Sequence, residues 1–266
     1  MKRILSFALL SLLILSTACW ASEDTKSVIE KIKAELTDLL AEIDFKMASA
    51  AVELSGKEPA GEEARAVLRN LCRENKYAVD CGILNAAGIM VAIEPEEYRK
   101  FEGSDVSKQD SVIRLRETKN PVFSNVFPVV EGFDAVVLGY PVFSAEGELL
   151  GSLSMLVEPR ALLSDIILPA IQGTGIEVWV MEKGGLVIYD RDKEEIGRNV
   201  FTDSLYKPFT DFIDFARKVA ENEEGTGSYE FLAEGLKMPV LKNAAWNTVS
   251  INGIDWRIVG YTVVSQ

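Results

Sequence analysis

The sequence contains no histidine, and this absence excludes several classes of enzyme at once. Ser-His-Asp triads, imidazole metal ligands and acid–base catalysis by imidazole all require that residue. Acidic pairs remain, since Asp190-Arg191-Asp192 is soon followed by Glu194-Glu195. This run lacks the glycine-spaced ligand pattern of a calcium loop, so we interpret it as a solvated charged loop. The sequence therefore predicts a protein that is not an enzyme and uses neither a cofactor nor a metal ion.

The apolar run at the start, from Ile4 to Leu15, falls short of the ~20 residues that a membrane-spanning helix needs. It follows Lys2-Arg3 and precedes Ser16-Thr17-Ala18, which is the pattern of an export signal. Cleavage after Ala18 would leave Cys19 to be lipidated, and cleavage after Ala21 would release a soluble form. Because the cleavage region is similar to a lipobox, we favour residues 1–18 as a signal peptide. The mature protein is then a lipoprotein at the periplasmic or extracellular face of a membrane.

Basic residues are scarce, with 28 Lys and Arg against 41 Asp and Glu. Removal of Lys2 and Arg3 with the signal takes the formal charge from −13 to −15. A negative field of this size disfavours nucleic acid and anionic lipid surfaces as partners. We therefore expect no nucleic-acid partner, and contact with the membrane through the lipid anchor.

Cysteine is also rare, with three in the chain. If Cys19 carries lipid, Cys72 and Cys81 remain as a pair in an oxidising compartment. A disulfide across so short a loop would add roughly 2 to 3 kcal/mol by the loop-entropy model. It would tie the end of a helix to the start of a sheet. Two buried free thiols are the alternative, and the sequence does not decide between them.

A long helix is predicted from Ser27 toward Gly56. Ser27 and Glu30 form a capping-box pattern. Apolar residues follow at three-four spacing, namely Ile29, Ile32, Leu36, Leu39 and Ile43. At 1.5 Å per residue such a helix is roughly 40 Å long. We favour a helix that packs along the side of the protein, and the alternative is a coiled-coil stalk that forms a homodimer.

Three strand-like runs follow one another from Val122 to Pro159. They cover Val122 to Val130, Phe133 to Phe143 and Leu149 to Val157, and short glycine-containing breaks separate them. This pattern indicates consecutive antiparallel strands. The second and third runs are apolar on both faces, so helices must cover both sides of the sheet.

The chain carries one plan twice. In the first copy, a hairpin around Gly88 precedes Gly103-Ser104-Asp105-Val106, a short helix from Ser107 to Lys119 and the three strands. In the second copy, a hairpin around Gly184-Gly185 precedes Gly197-Arg198-Asn199-Val200, a helix and further strands with an Asn252-Gly253 turn. We therefore predict N-terminal helices over residues 19–75, a first unit over 76–160, a connector over 161–175 and a second unit over 176–266.

Residues 139–153, Gly-Tyr-Pro-Val-Phe-Ser-Ala-Glu-Gly-Glu-Leu-Leu-Gly-Ser-Leu, resemble the Cache sensor domain, an extracytoplasmic PAS-like fold. The repeated plan behind a long helix is similar to the double Cache arrangement. The resemblance implies an α+β fold class with two tandem PAS-like units, each an antiparallel sheet with flanking helices, braced by the long N-terminal helix. It also implies a small-molecule ligand of the amino acid, carboxylate or amine class, bound between sheet and covering loops, usually in the first unit.

A pocket in the first unit would draw its polar groups from six side chains. Lys108 or Arg114 would contact an anionic group, and Asp110 would contact an amine. Tyr98, Ser124 and Tyr140 would supply neutral hydrogen bonds. The amino-acid-binding members of the family carry an Arg-x-Trp-like element on the short helix, which here reads Lys108-Gln109-Asp110-Ser111, so their specificity is not carried over. Weaker candidates in the second unit are Tyr189, Asp190, Asn199 and Trp246, although Trp246 and Trp256 are expected in the core.

Together these observations predict an extracytoplasmic, non-catalytic, lipid-anchored module that senses a small molecule. No second span and no cytoplasmic domain follows Gln266 in the sequence, so we expect the signal to pass to a separate membrane signalling protein. The alternative is a structural or dimerising protein of the cell envelope that binds no metabolite.

Overall fold

The computed structural model describes residues 4–232 and 238–264, with side chains from residue 24 onward. The chain forms two compact units. The first unit contains residues 37–163 and 250–254, and the second contains residues up to 36 together with 164–249 and 255–266. The predicted signal cleavage and the lipidation of Cys19 fall outside the described side chains.

Helix α1 spans Ile4–Glu53. Its buried side chains keep a three-four spacing, since Ile29, Ile32 and Leu36 are buried in the second unit and Leu40, Ile43 and Met47 in the first. The predicted Leu39 is only half-buried, and its neighbour Leu40 is buried instead. Ser27 lies inside this helix and therefore does not cap its N-terminus, contrary to the expectation from its sequence. Within the residues described, no helix is both long and apolar enough to span a membrane.

The first unit is built on an antiparallel sheet in the order β2-β1-β6-β5-β3, with β4 also paired to β5. The strands are β1 Ala78–Asn85, β2 Met90–Glu94, β3 Val122–Phe123, β4 Phe127–Pro128, β5 Asp134–Phe143 and β6 Leu149–Val157. Around them lie α2 Glu62–Glu74, a 3-10 helix Glu96–Phe101 and α3 Asp110–Thr118. The predicted row of three strands is confirmed, because β5 pairs with β6 on one side and with β3 and β4 on the other.

One predicted strand is divided. The run from Val122 to Val130 forms the two short strands β3 and β4, separated at Ser124. The Ser124 hydroxyl accepts a hydrogen bond from Val137 N at 2.8 Å, and Ser124 N donates to Val137 O at 2.9 Å. A side chain thus replaces a backbone carbonyl in the ladder, and the regular pairing stops there.

The second unit contains a separate antiparallel sheet in the order β8-β7-β11-β10-β9. Its strands are β7 Glu177–Glu182, β8 Val187–Tyr189, β9 Gly225–Leu232, β10 Pro239–Ile251 and β11 Ile254–Val263. Helix α4 spans Pro159–Ile171, so much of the predicted connector is helical, and α5 spans Thr210–Glu221. Trp246 and Trp256 are buried, as expected, and Phe212 stacks on Phe231 with ring centroids 4.4 Å apart. The turn at Asn252-Gly253 is confirmed, because both residues have positive φ, of 45° and 92°.

The two copies make the same backbone hydrogen bonds at the repeated Gly-x-Asx-Val segment. In the first, Val106 N donates to Gly88 O at 3.0 Å; in the second, Val200 N donates to Gly185 O at 2.9 Å. Gly88 and Gly185 both have φ near +90°, and a Cβ on Gly185 would lie 2.5 Å from the Phe201 ring. Two units with antiparallel sheets, flanking helices and the long helix α1 confirm the predicted α+β fold class.

The interpretation of residues 190–195 as a solvated loop is wrong for two of its acids. Asp190 and Glu195 are only half-buried by exposed area, yet both line a cavity of the second unit, and burial raises the pKa of each carboxyl. Lys193 and Glu194, between them, are exposed as predicted. The sequence pattern does not distinguish the acids that line the cavity from the exposed residues of the loop, because the direction of each side chain depends on the strands and helices around the loop.

Cys72, near the end of α2, faces Cys81 on β1. Their sulfur atoms lie 2.6 Å apart, and both residues are free thiols in this structure. The helix end and the strand are therefore neighbours, as a disulfide would require. The disulfide itself stays a prediction.

Candidate functional site

Asp80 on β1 is a buried acid of the first unit. It is 4% exposed, and within the described chain its Oδ2 atom has no hydrogen-bond partner. Because side chains alternate along a strand, Asp80 points to the face opposite that of Cys81, which meets α2. Burial and the charge of Glu131 raise the pKa of Asp80 to about 7. Such a carboxyl is costly to keep charged unless a positive group approaches it.

Glu131 and Tyr98 share the surroundings of Asp80. Glu131 follows β4, and its Oε1 atom is also buried without a hydrogen-bond partner among the described residues. Burial raises the pKa of the Glu131 carboxyl. The pKa of Tyr98 is raised by burial first and then by the charges of Asp80, Glu97 and Glu131. We call Asp80, Tyr98 and Glu131 the acidic site of the first unit.

An ion-pair network holds the 3-10 helix that carries Tyr98. Glu94, directly before this helix, is 1% exposed and pairs with Arg65, Arg69 and Arg99 at 3.6, 3.3 and 2.6 Å. Arg65 also makes two hydrogen bonds, of 2.7 and 3.0 Å, to the carboxylate of Glu102 just after the helix. The Arg65 guanidinium thereby lowers the pKa of Glu102. Both ends of the helix are anchored, so the position of Tyr98 is fixed.

This arrangement suits a ligand that donates hydrogen bonds and carries positive charge. Two buried carboxylate oxygens without partners are an unfavourable feature of the protein alone. An ammonium group would satisfy both with charge-assisted hydrogen bonds, which are stronger than neutral ones. In the part of the chain described, no three acidic or cysteine side chains converge to hold a metal ion.

Three of the residues predicted for the site lie at or near the start of α3. Lys108 and Asp110 are exposed. Arg114 pairs with Asp110 at 2.8 Å, and its Nη2 atom donates to Phe123 O at 2.8 Å. The structure thus brings Asp110 and Arg114 together, but as an ion pair with each other. Their role in binding stays a prediction.

Ser124 and Tyr140 have protein partners elsewhere. Ser124 is bonded to Val137 at the edge of the sheet, as described above. The Tyr140 hydroxyl donates to a carboxylate oxygen of Asp44 on α1, which also accepts a hydrogen bond of 2.8 Å from Asn252 Nδ2. Of the six predicted residues, Tyr98 has the electrostatic contact with Asp80 and Glu131 that defines the acidic site.

Sequence reasoning missed Asp80 and Glu131. Asp80 is the one charged residue in the run from Tyr77 to Leu84, which is a signal that could have identified it. Glu131 precedes Gly132 and has the pattern of an ordinary turn. Its burial follows from the packing around the turn and not from local sequence.

The fold and the residues above can be compared with known proteins. A family model described as "HK/GC/Chemotaxis protein-like, sensor domain" matches residues 38–159. An extracellular ligand binding receptor from Desulfohalobium retbaense is 31% identical, with a TM-score of 0.77 over 90% of this chain. The chain has the fold of a double Cache-like sensor domain. It spans 40% of the length of that receptor.

More distant structures share the double Cache-like fold. The ligand-binding domain of the Pseudomonas aeruginosa amino acid chemoreceptor PctB, in complex with L-Gln, is 13% identical, with a TM-score of 0.64 over 90% of this chain and 89% of that domain. The ligand-binding domain of the Pseudomonas fluorescens chemoreceptor CtaA, in complex with L-isoleucine, is 12% identical, with a TM-score of 0.64 over 97% of this chain and 96% of that domain. No curated protein sequence matches this Cache-like chain.

Proposed function

We propose that this Cache-like chain is the ligand-binding part of an extracytoplasmic sensor, and that its first unit binds a small molecule with an amino group without transforming it. The observation that carries this proposal is the pair of buried carboxylate oxygens without partners, Asp80 Oδ2 and Glu131 Oε1. Tyr98 beside them supplies a hydroxyl for a further hydrogen bond.

The comparisons support the same ligand class. Both chemoreceptor domains named above were solved with an amino acid bound, and each of those ligands carries an amino group. The family model covers the unit that contains Asp80, Tyr98 and Glu131. We therefore place the ligand of this chain in the amino acid and amine classes, ahead of simple carboxylates.

The proposal includes attachment to the membrane through lipid on Cys19. The support is the sequence of an apolar run, small residues and a cysteine. A lipid anchor reaches one leaflet only, so a bound ligand could be reported across the membrane only through a protein that spans it. The proposed partner is therefore a separate membrane signalling protein.

Titration calorimetry on the mature chain tests the proposed ligand class. The panel contains amino acids, primary amines and the carboxylates that match them in carbon skeleton. We expect at least one amino compound to bind, and Asp80→Asn or Glu131→Gln to weaken that binding by about tenfold or more, since each removes a charge-assisted hydrogen bond. The matching carboxylate without an amino group should bind far more weakly.

Glu146→Gln is the matched control, because Glu146 is exposed in the β5–β6 turn of the same unit. It should leave the affinity unchanged. The proposal fails if every compound that binds does so equally well to Asp80→Asn, Glu131→Gln and Glu146→Gln, or if no amino compound binds.

A second candidate function is that of a dimerising envelope protein. Phe45 and Val52 on α1 are 72% and 76% exposed and lie one heptad apart. Two large apolar side chains on one side of a helix are the beginning of a coiled-coil seam. This observation favours a homodimer through α1, which is compatible with ligand binding.

A further inference from the structure

The second unit contains a cavity that the proposed function does not use. Its volume is about 190 Å³, and it lies between the sheet and the loop that follows β8. Pockets for drug-sized ligands measure about 300 to 1,000 Å³, so this one suits a small metabolite. One wall is aromatic, with Trp179, Phe212, Tyr229, Phe231 and Tyr261.

Lys242 on β10 supplies a buried positive charge to this cavity. The residue is 3% exposed, and its ammonium lies 4.1 Å from the centroid of the Tyr261 ring. The Nζ atom donates one hydrogen bond, of 2.8 Å, to Leu232 O. An ammonium has three protons to donate, and among the described residues no carboxylate lies within ion-pair distance of Nζ. It therefore retains capacity to bind an anionic group.

Asp190 and Glu195 supply negative charge from the loop after β8. The Asp190 carboxylate accepts a hydrogen bond of 2.8 Å from the backbone N–H of Asp192. The Glu195 carboxylate accepts a hydrogen bond of 3.2 Å from the side-chain hydroxyl of Tyr206. Within the described chain neither carboxylate pairs with a cation. The two arginines beside them are already occupied, since Arg191 pairs with Glu177 at 2.9 Å and Arg198 with Asp203 at 3.2 Å.

A buried ammonium and two carboxyl groups thus line one small cavity without forming an ion pair with each other. Lys242 interacts with Asp190 and Glu195 through space, and this attraction opposes the lowering of its pKa by burial. Buried opposite charges that do not pair leave each desolvation cost uncompensated. A molecule that carries both a carboxylate and an ammonium group would compensate both.

The internal repeat supports a binding role for this cavity of the second unit. Glu177 stands eight residues before Gly185, as Asp80 stands eight residues before Gly88. Both acids lie on the first strand of their hairpin, on β7 and β1 respectively. The loop with Asp190 and Glu195 corresponds to the segment with Tyr98, because each runs from the second hairpin strand to the Gly-x-Asx-Val segment.

We propose that the second unit has its own binding site, which takes a small zwitterion with its carboxylate on Lys242 and its ammonium on Asp190 and Glu195. The aromatic wall would contact the carbon skeleton between the two charged groups. This site is distinct from the acidic site of the first unit, where one oxygen of Asp80 and one of Glu131 lack hydrogen-bond partners among the described residues.

Titration calorimetry on the mature chain carrying Asp80→Asn separates this site from the acidic site, because that substitution should weaken binding at the acidic site by about tenfold or more. The probes are the twenty common amino acids, 4-aminobutyrate and 5-aminopentanoate, each beside the amine and the carboxylate of the same skeleton. We expect at least one zwitterion to bind, and its singly charged analogues to bind about a hundredfold more weakly, since each loses one charge-assisted contact.

Two substitutions locate the binding. Asp190→Asn keeps the side-chain shape, and Lys242→Met keeps most of the apolar stem. Each should lower the affinity for the zwitterion by about tenfold or more. Glu230→Gln is the matched control, because Glu230 is exposed between the cavity residues Tyr229 and Phe231. Should Lys242→Met fail to fold, Asp190→Asn alone decides the outcome.

The second site is ruled out if no zwitterion binds to the Asp80→Asn chain, if singly charged analogues bind as well as the zwitterion, or if Asp190→Asn binds like Glu230→Gln. These outcomes are separate from those for the first unit. Binding that Asp80→Asn weakens and Asp190→Asn leaves unchanged belongs to the acidic site, and the reverse pattern belongs to the second unit.

Discussion

Asp80 combines two properties that oppose each other, an ionisable carboxyl group and a place inside a sheet. In water its carboxyl would lose its proton near pH 4, whereas burial raises its pKa in the folded protein to about 7. Between these two values the folded chain holds a proton that the unfolded chain has released. The contribution of protonated Asp80 to the free energy of unfolding is therefore complete at low pH, and it is lost as the pH rises through the folded pKa.

The first prediction follows from that difference in pKa. Asp80→Asn should be about as stable as wild type at pH 4 and more stable by on the order of 3 kcal/mol at pH 8, because asparagine carries no charge to bury. The difference should grow between pH 4 and 7 and then level off. Urea unfolding of both ligand-free chains across this range measures it.

Asp134→Asn is the control for this prediction, since Asp134 is exposed at the start of β5. Its stability should follow the wild-type curve at every pH. A constant difference between Asp80→Asn and wild type from pH 4 to 8 would show that the buried carboxyl does not titrate as inferred.

The sequence identified Tyr98 but not the acids beside it, and the reason is physical. Tyr98 could be chosen because a tyrosine in a polar, irregular stretch has few packing roles. Asp80 lies in a strand whose first residues the sequence pattern did not detect, and only pairing with β6 shows that it is inside. Lys242 is a similar case, because it lies on β10, Pro239–Ile251, and nothing in the residues next to it marks it as buried. The burial of both residues depends on strands that are distant in sequence.

Helix α1 shows how well periodicity predicts a single element. The apolar spacing from Ile29 to Ile43 predicted the helix and four of the five residues on its buried face, because 3.6 residues per turn places those side chains on one side. Leu39 is the exception, since Leu40 is buried in its place. The divided strand β3–β4 shows the limit. A run of apolar residues indicates extended backbone, but a hydroxyl such as that of Ser124 can replace one ladder bond and end the pairing.

The second prediction concerns the outer side of α1. If Phe45 and Val52 form the seam of a homodimer, Phe45→Asp should convert the mature chain to a monomer, since it places a charge at the centre of an apolar contact. Sedimentation equilibrium at micromolar concentrations measures the mass. Val263→Asp is the control, because it places the same charge at another exposed apolar residue, which lies on β11 and not on α1. A wild-type chain that sediments as a monomer would remove the dimer from consideration.

At the scale of the whole molecule, the repeat places comparable chemistry in each unit. The first unit presents two carboxyl oxygens without hydrogen-bond partners among the described residues, and the second presents a lysine and two carboxyl groups around a cavity. The two units share the hairpin, the Gly-x-Asx-Val hydrogen bonds and an acid at one strand position, while the surrounding side chains differ. One fold can therefore present two differently charged sites, so the two units need not share a ligand.

The last prediction concerns the place of the molecule in the cell. If Cys19 carries lipid, the full chain should be found with membranes and be released by detergent, whereas Cys19→Ala should leave the alternative cleavage after Ala21 and yield a soluble protein outside the cytoplasm. Cell fractionation followed by mass determination distinguishes the two forms. Cys72→Ser is the control and should distribute as wild type, because Cys72 lies in the folded first unit and not in the cleavage region. An equal distribution of Cys19→Ala and wild type would mean that the cysteine is not an anchor, and a partner in the membrane would then have to bind the released domain.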